Sequence, residues 1–103
     1  MNRKNAISIL KKELPYLINK YGVQKIGVFG STVKNKSNID SDVDIFVKFS
    51  KPIGLEFVDF CEYLEQKLGK AVDVITPDGL EGIRVERVKK EMKEELKNNL
   101  IYV

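Results

Sequence analysis

The stretch Ser41-Asp42-Val43-Asp44-Ile45-Phe46-Val47-Lys48 decides how the rest of the chain is interpreted. Apolar side chains occupy positions 43, 45 and 47 of this stretch. Such alternation is typical of a strand that buries one face. Those three side chains point into the core. Asp42 and Asp44 therefore project together from the opposite, open face of a sheet.

Two further segments have the composition of short strands. Gln24–Phe29 is apolar over its second half and ends at the pair Gly30-Ser31. Ala71–Thr76 contains Asp73 as a lone acid between two valines, so its carboxylate also leaves the sheet on the open face. If the strands that carry Asp44 and Asp73 are neighbours, three carboxylates converge.

Apolar side chains at helical spacing mark three other segments. We predict a helix from about Arg3 to Lys20, kinked or restarted near Pro15, because a proline inside a helix costs about 3 kcal/mol. A second helix is predicted from Leu55 to Leu68 and a third, strongly charged one from about Ile83 to Lys97. Pro77-Asp78-Gly79 is predicted as a turn, and the last four residues are unassigned.

The order helix, strand, strand, helix, strand, helix indicates an α/β (α+β) fold. We expect helices packed mainly on one face of a small sheet, with the other face left free for a site. A length of 103 residues fits one domain, taken here as residues 1–103.

Composition excludes several kinds of chemistry. There is no histidine and Cys61 is the only cysteine, so zinc sites, disulfides and Cys–His or Ser–His pairs are ruled out. The net charge of +3 arises from 18 basic and 15 acidic residues spread along the chain, which is weak evidence for a nucleic-acid partner. No apolar run approaches the roughly 20 residues that span a bilayer, so no membrane association and a cytoplasmic location are expected.

The predicted carboxylate cluster points to a metal-bound nucleotide. Three neighbouring carboxylates repel one another, and a fold that assembles Asp42, Asp44 and Asp73 needs cations to offset that cost. Oxygen ligands without histidine or cysteine select Mg²⁺ or Mn²⁺, and Mg²⁺ is usually completed by substrate phosphates. Gly30 lets a phosphate approach the backbone, while Ser31 offers a hydroxyl and an N–H group.

These motifs together resemble the polymerase-beta-like nucleotidyltransferase superfamily. Its signature is a Gly-Ser pair, a spacer, Asp-x-Asp on the next strand and a third carboxylate on a later strand. Gly30-Ser31, Asp42-Val43-Asp44 and Asp73 match that order, and the layout resembles the minimal nucleotidyltransferases. Members of that group are antitoxin partners of HEPN toxins. The resemblance implies the nucleotidyltransferase fold, with a mixed sheet of three or four strands.

The resemblance also implies an activity and roles for the matching residues. Asp42 and Asp44 would ligate the metal, and Asp73 would be a third ligand or the base that deprotonates the incoming hydroxyl. Ser31 would contact the nucleotide phosphates beside Gly30. The reaction that the resemblance implies transfers AMP from ATP to a hydroxyl, that of a tyrosine, on a HEPN-domain toxin.

One position departs from the family pattern. The family often reads Gly-Ser-x-Ala-Arg-Gly, whereas Val33, Lys34 and Asn35 occupy the last three positions here. Lys34 can meet a phosphate as a point charge but lacks the bidentate fork of arginine.

Two other functions stay open at this point. The first is a non-catalytic nucleotide-binding antitoxin or interaction module that blocks its partner by contact. The second is a nucleotidyltransferase that acts on nucleic acid ends, which the interleaved charges make the weaker alternative. For any of these functions, the sequence leaves open whether the protein forms a homo- or a hetero-oligomer.

Three individual features have a structural interpretation beside the functional one. Phe46 stacks on a base or packs against a neighbouring element, and Cys61 is more simply a small core residue than a nucleophile. The basic residues of the last helix alternate with glutamates, so a solvated helix face is expected there rather than a binding patch.

Overall fold

A computed structural model of the chain describes residues 3–30 and 43–103. Within these segments the chain forms four helices and four strands. In chain order they are α1 (Arg3–Tyr21), β1 (Val23–Phe29), β2 (Val43–Phe49), α2 (Glu56–Leu68), β3 (Val72–Ile75), α3 (Pro77–Glu81), α4 (Glu86–Asn99) and β4 (Ile101–Tyr102).

The strands form one mixed sheet in the order β3-β2-β1-β4. The central pair β1–β2 is antiparallel, as is the edge pair β1–β4, whereas β2 and β3 run parallel. The parallel pair requires a crossover connection, which α2 supplies between them. The predicted fold class, a small mixed sheet of three or four strands with helices, is confirmed.

The main core lies between the sheet and the first two helices. The odd-numbered side chains of β2 face it as predicted, with Val43, Ile45 and Val47 at most 1% exposed. The members contributed by α1 and α2 recur at helical spacing and are at most 7% exposed. They are Ala6, Leu10, Leu17 and Tyr21 from α1 and Phe60, Leu64 and Leu68 from α2. Because these apolar side chains cover one face of the sheet, the aspartates of β2 and β3 are left to the other.

α1 continues through Pro15 without interruption, so the predicted restart of the helix is wrong. The proline ring is exposed, and its turn is held by Leu14 and Leu17, which pack on the core. Tertiary packing of the amphipathic face therefore outweighs the local cost of the proline. None of the helices in the two described segments has the length and apolarity that crossing a membrane requires.

The last third of the chain differs most from the prediction. The expected turn at Pro77-Asp78-Gly79 is the short helix α3, which Thr76 caps by accepting a hydrogen bond from the Gly79 N–H at 3.0 Å. The next helix, α4, begins three residues later than expected and ends two residues later. The unassigned tail forms β4, whose Ile101 and Tyr102 pair with β1.

Candidate active site

Asp44 and Asp73 lie at the same level of two neighbouring parallel strands. The pairing of β2 with β3 sets Asp44 directly beside Asp73, and neighbouring strands are about 4.8 Å apart. Asp44 is half-buried and Asp73 is exposed. The structure thus brings together two of the three predicted carboxylates on the face opposite the main core.

Gly30 closes this site from the end of β1. The last residue of that strand, Phe29, pairs with Asp44, so Gly30 is placed next to the Asp44 carboxylate. Its φ of +68° is a conformation that other residues rarely adopt. A Cβ atom added at Gly30 would lie 2.3 Å from Asp44 Oδ2, which no real contact allows. Both the backbone and the space around the carboxylate therefore require glycine.

The other predicted site residues, Ser31, Lys34 and Asp42, lie outside the described residues. Within residues 3–30 and 43–103 no three Asp, Glu, His or Cys side chains are grouped closely enough to hold a metal ion. The described part of the site is therefore the pair Asp44 and Asp73 with Gly30 beside it.

A cavity of about 700 Å³ opens over this pair. Sequence reasoning missed most of its wall, which comes from α2, the end of β3, α3 and α4. The added lining residues include Phe57, Ile75, Thr76, Gly79, Ile83, Val88, Glu91, Met92 and Glu95. The face with the aspartates is therefore only partly free, since α4 contributes to a wall beside it.

The sequence pattern that indicates this wall is the apolar stripe of α4, the side chains that recur at helical spacing along it. Val88 and Met92 are four residues apart on that stripe and both line the cavity. No residue of α4 is buried, so the stripe does not form a closed core. The periodicity indicates that one face of α4 is apolar. The tertiary structure shows that this face lines the cavity beside Asp73.

A forked ion pair joins α3 to α4 at the outside of this wall. Glu81 Oε2 lies 3.1 Å from Lys89 Nζ, and Glu81 Oε1 lies 3.1 Å from Lys93 Nζ. Lys89 also donates a hydrogen bond of 3.2 Å to the main-chain carbonyl of Glu81. Hydrogen bonds from Lys89 and Lys93 hold the pKa of the Glu81 carboxyl below its ordinary value. Because neither helix buries a side chain, this contact is a main link between them.

The two lysines of that fork belong to the basic residues that the sequence assigns to a solvated helix face. Arg87 forms an i, i+4 ion pair with Glu91 at 4.0 Å, as expected for such a face. Lys89 departs from the expectation, since its side chain is only 18% exposed and holds α3 rather than extending into water.

Phe46 and Cys61 both pack against other side chains, as the structural interpretation of each residue expects. Phe46 is 9% exposed, and its ring meets that of Tyr102 on β4 edge to face at a centroid distance of 6.5 Å. Cys61 packs against the main core, and burial raises the pKa of its thiol. A raised thiol pKa disfavours the nucleophilic thiolate, which agrees with a core residue.

Comparison with known proteins identifies the family of this arrangement. A family model described as "Nucleotidyltransferase domain" matches residues 5–103. Protein adenylyltransferase MntA of Thermococcus cleftensis is 45% identical over 74 residues, which are 71% of this chain and 75% of that protein. A "putative protein adenylyltransferase" of Methanocaldococcus jannaschii is 38% identical over 98 residues, which are 92% of this chain and 91% of that protein.

Solved structures agree with these relatives. A "putative minimal nucleotidyltransferase" is 25% identical, with a TM-score of 0.68 over 92% of this chain and 93% of that one. A chain of a toxin-antitoxin crystal structure with AMP-PNP has the same fold, with 18% identity and a TM-score of 0.62 over 99% of this chain and 72% of that one. The family match, the relatives and the shared fold all confirm the predicted resemblance, and the chain belongs to the nucleotidyltransferase domain family.

Proposed function

We propose that this protein is a Mg²⁺-dependent adenylyltransferase that transfers AMP from ATP to a tyrosine hydroxyl of a HEPN-domain toxin and thereby acts as its antitoxin. The observation that carries the proposal is the side-by-side placement of Asp44 and Asp73 next to Gly30. Two relatives named protein adenylyltransferases support the activity, and a structural neighbour from a toxin-antitoxin complex with AMP-PNP supports the antitoxin role.

The donors of the site fit a magnesium ion. Asp44 and Asp73 supply carboxylate oxygens at one level of the sheet, and Asp42 would be the third ligand by its place in the motif. Gly30 has no side chain, so Asp44 Oδ2 can occupy the space that a Cβ atom would fill. When bound, the ion would neutralise charge on the phosphates and on the developing transition state.

The chain's own residues would then bind and orient the two reactants. Gly30 and Ser31 would hold the triphosphate close to the backbone, with Lys34 as an additional positive charge. Asp73 is exposed on the cavity side, so an incoming hydroxyl can reach its carboxylate. A base must lie within hydrogen-bond distance of the proton that it removes. Because Asp73 is exposed, a hydroxyl group can approach it to that distance.

The reaction exchanges one phosphorus–oxygen bond for another. The tyrosine oxygen attacks the α-phosphorus of ATP while its proton passes to Asp73. The bond from the α-phosphorus to the bridging oxygen breaks, and pyrophosphate leaves with that electron pair. The product is a tyrosine esterified with AMP, and the process needs no oxidant or reductant.

The modification would silence the HEPN toxin, which the family resemblance implies is a ribonuclease, for electrostatic and steric reasons. An AMP group adds bulk and negative charge, which opposes RNA phosphates if the acceptor tyrosine lies near the toxin's active site. A covalent change persists after the antitoxin dissociates. Consumption of ATP supports the cytoplasm as the place of action.

Two isotope positions in ATP test this reaction directly. The purified protein, Mg²⁺ and a HEPN toxin from the same genome are incubated with ATP labelled on either the α- or the γ-phosphate. Transfer of AMP predicts label on the toxin from α-labelled ATP only. Label from γ-labelled ATP would indicate a kinase instead. A neutralised toxin without label would indicate a non-catalytic binding module.

A further inference from the structure

A second cavity, of about 570 Å³, continues from the first one along the end of the sheet. Phe57 and Thr76 line both cavities, so the two form one cleft. Its far part is lined by the loop that follows β2, from Ser50 to Gly54, and by the start of α3. We refer to the two connected cavities as the acceptor cleft.

The two ends of the acceptor cleft carry opposite charge. Four carboxylates line the first cavity and no lysine or arginine does so among the described residues; they are Asp44, Asp73, Glu91 and Glu95. The second cavity is lined by Lys48 and Lys51, with Asp78 as the only acid among its described residues. A ligand that fills the whole cleft must therefore differ in charge between its two ends.

The basic end of the cleft also carries apolar side chains. Pro52 and Ile53 line it, and two large side chains at the start of α2 lie exposed nearby in sequence. Leu55 is 92% exposed and Val58 is 59% exposed. Adjacent exposed apolar residues rimmed by charge are typical of protein interaction sites.

We propose that the acceptor cleft binds an extended segment of the acceptor protein. Lys48 and Lys51 hold an acidic residue of that segment, and a hydroxyl side chain of the same segment reaches Asp73. This inference rests on the proposed function and adds the recognition element of the acceptor. Charge complementarity selects the occupant, because a carboxylate fits the basic end.

The sheet geometry sets the spacing of that acidic residue. Asp44 and Lys48 are four residues apart on the same face of β2, which corresponds to about 13 Å at a rise of about 3.3 Å per residue. An extended peptide has the same rise. The acidic residue of the acceptor should therefore lie about four residues from the tyrosine.

Peptide binding followed by nuclear magnetic resonance tests the proposal without requiring catalysis. The ¹⁵N-labelled protein, with Mg²⁺ and a non-hydrolysable ATP analogue, is titrated with tyrosine peptides that carry glutamate four residues before or after the tyrosine. The control peptides carry lysine at those positions. We expect one glutamate peptide to shift the amides of residues 48–58 and to bind about tenfold more tightly than its lysine control.

Charge reversal supplies the matched variants. Lys48→Glu with Lys51→Glu should invert the preference between the two peptides, whereas Lys11→Glu with Lys12→Glu, two exposed positions on α1, should leave it unchanged. The same spectra report whether each variant is folded. Equal binding of both peptides, or shifts confined to other residues, would overturn the proposal.

Three further outcomes separate this proposal from its alternatives. A single-stranded RNA oligonucleotide that shifts residues 48–58 more strongly than any peptide would overturn it in favour of a nucleic-acid site. If the peptides bind as expected but no AMP is transferred to the toxin, the proposed function fails and the cleft remains a peptide site. If AMP is transferred while charge reversal has no effect on peptide binding, only the present inference fails.

Discussion

Gly30 and the carboxylate of Asp44 are so close that a side chain at position 30 would displace the carboxylate. A Cβ atom at Gly30 would lie 2.3 Å from Asp44 Oδ2 and 3.1 Å from its carboxyl carbon. Besides its proposed role in admitting a phosphate, glycine at position 30 lets the carboxylate of Asp44, on β2, lie against the end of β1.

The first prediction concerns Gly30→Ala. The substitution strains a backbone at φ +68° and forces the Asp44 carboxylate to move. The strain alone costs about 1–2 kcal/mol of unfolding free energy, and we expect a further loss from the displaced carboxylate. Stabilisation by Mg²⁺ with ATP should disappear. Urea unfolding with and without the ligands measures both effects.

Gly69→Ala is the matched control for this variant. Gly69 has a φ of +70°, but a Cβ atom there would meet no atom within 4 Å. It should therefore lose only the strain energy and keep its response to Mg²⁺ and ATP. Equal ligand responses of the two alanine variants would contradict the role given to Gly30.

The second prediction concerns the paired carboxylates. Asp44→Asn and Asp73→Asn should each abolish transfer but leave the unliganded fold as stable as before or slightly more so, since one repelling charge is removed. Asp44→Asn should also lose the stabilisation by Mg²⁺ with ATP, which is about 2.7 kcal/mol for a ligand at a hundred times its dissociation constant. Asp73→Asn should keep much of it if Asp73 is mainly the base.

Thermal melts and the labelling assay distinguish these roles. Glu62→Gln, at an exposed position on α2, provides a control for the loss of one negative charge. Unfolding of either asparagine variant in the absence of ligand would mean that the aspartates are structural. Equal loss of nucleotide binding in both variants would identify Asp73 as an essential metal ligand.

The strands and the sheet face that Asp44 and Asp73 occupy were predictable for the same reason. In β2, alternation separates the buried residues from Asp44, and the flanking valines do the same for Asp73 on β3, so each residue's face follows from its neighbours. The adjacency of these two strands does not follow from the sequence pattern. It depends on the crossover through α2, which no local pattern specifies.

The errors arose where local and tertiary signals differ. The Thr76-Pro77 pair is a typical helix start, with a capping hydroxyl followed by proline, whereas Gly79 favours the turn that was predicted. β4 has only two residues, and its strand character exists through pairing with Gly27 and Val28 of β1. No sequence period can reveal an element of that length.

The third prediction concerns the interface between α1 and α2 at high pH. The Tyr21 hydroxyl donates a hydrogen bond to Asp59, and burial followed by this bond raises the pKa of Tyr21 to about 12. Above pH 10 the unfolded chain releases the tyrosine proton while the folded chain retains it, so the free energy of unfolding falls from pH 10 towards pH 12.

Tyr21→Phe should lose this part of the pH dependence. Below pH 10 the variant should be less stable than wild type, and the difference should shrink as the pH rises towards 12. Urea unfolding at a series of pH values measures it, with Tyr102→Phe on β4 as the control. A difference that stays constant over this range would contradict the assignment.

The fourth prediction concerns the fork between α3 and α4. Glu81→Gln removes the charge that joins Lys89 and Lys93, so amide hydrogens of α4 should exchange several-fold faster. The wild-type contact is present above the ordinary pKa of glutamate and is lost as the pH falls through the lowered pKa of Glu81. Glu94→Gln, at an exposed position of α4 outside this fork, should leave exchange unchanged. Unchanged exchange in Glu81→Gln would mean that the fork does not hold the cavity wall.

The intact mass of the toxin tests the proposed activity most directly. The HEPN toxin is co-expressed with the wild-type protein or with Asp44→Asn, then purified and weighed by mass spectrometry. We expect a mass increase of one or more AMP groups with wild type only, located on a tyrosine. A toxin that is neutralised by wild type without any increase in mass would contradict adenylylation as its mode of action.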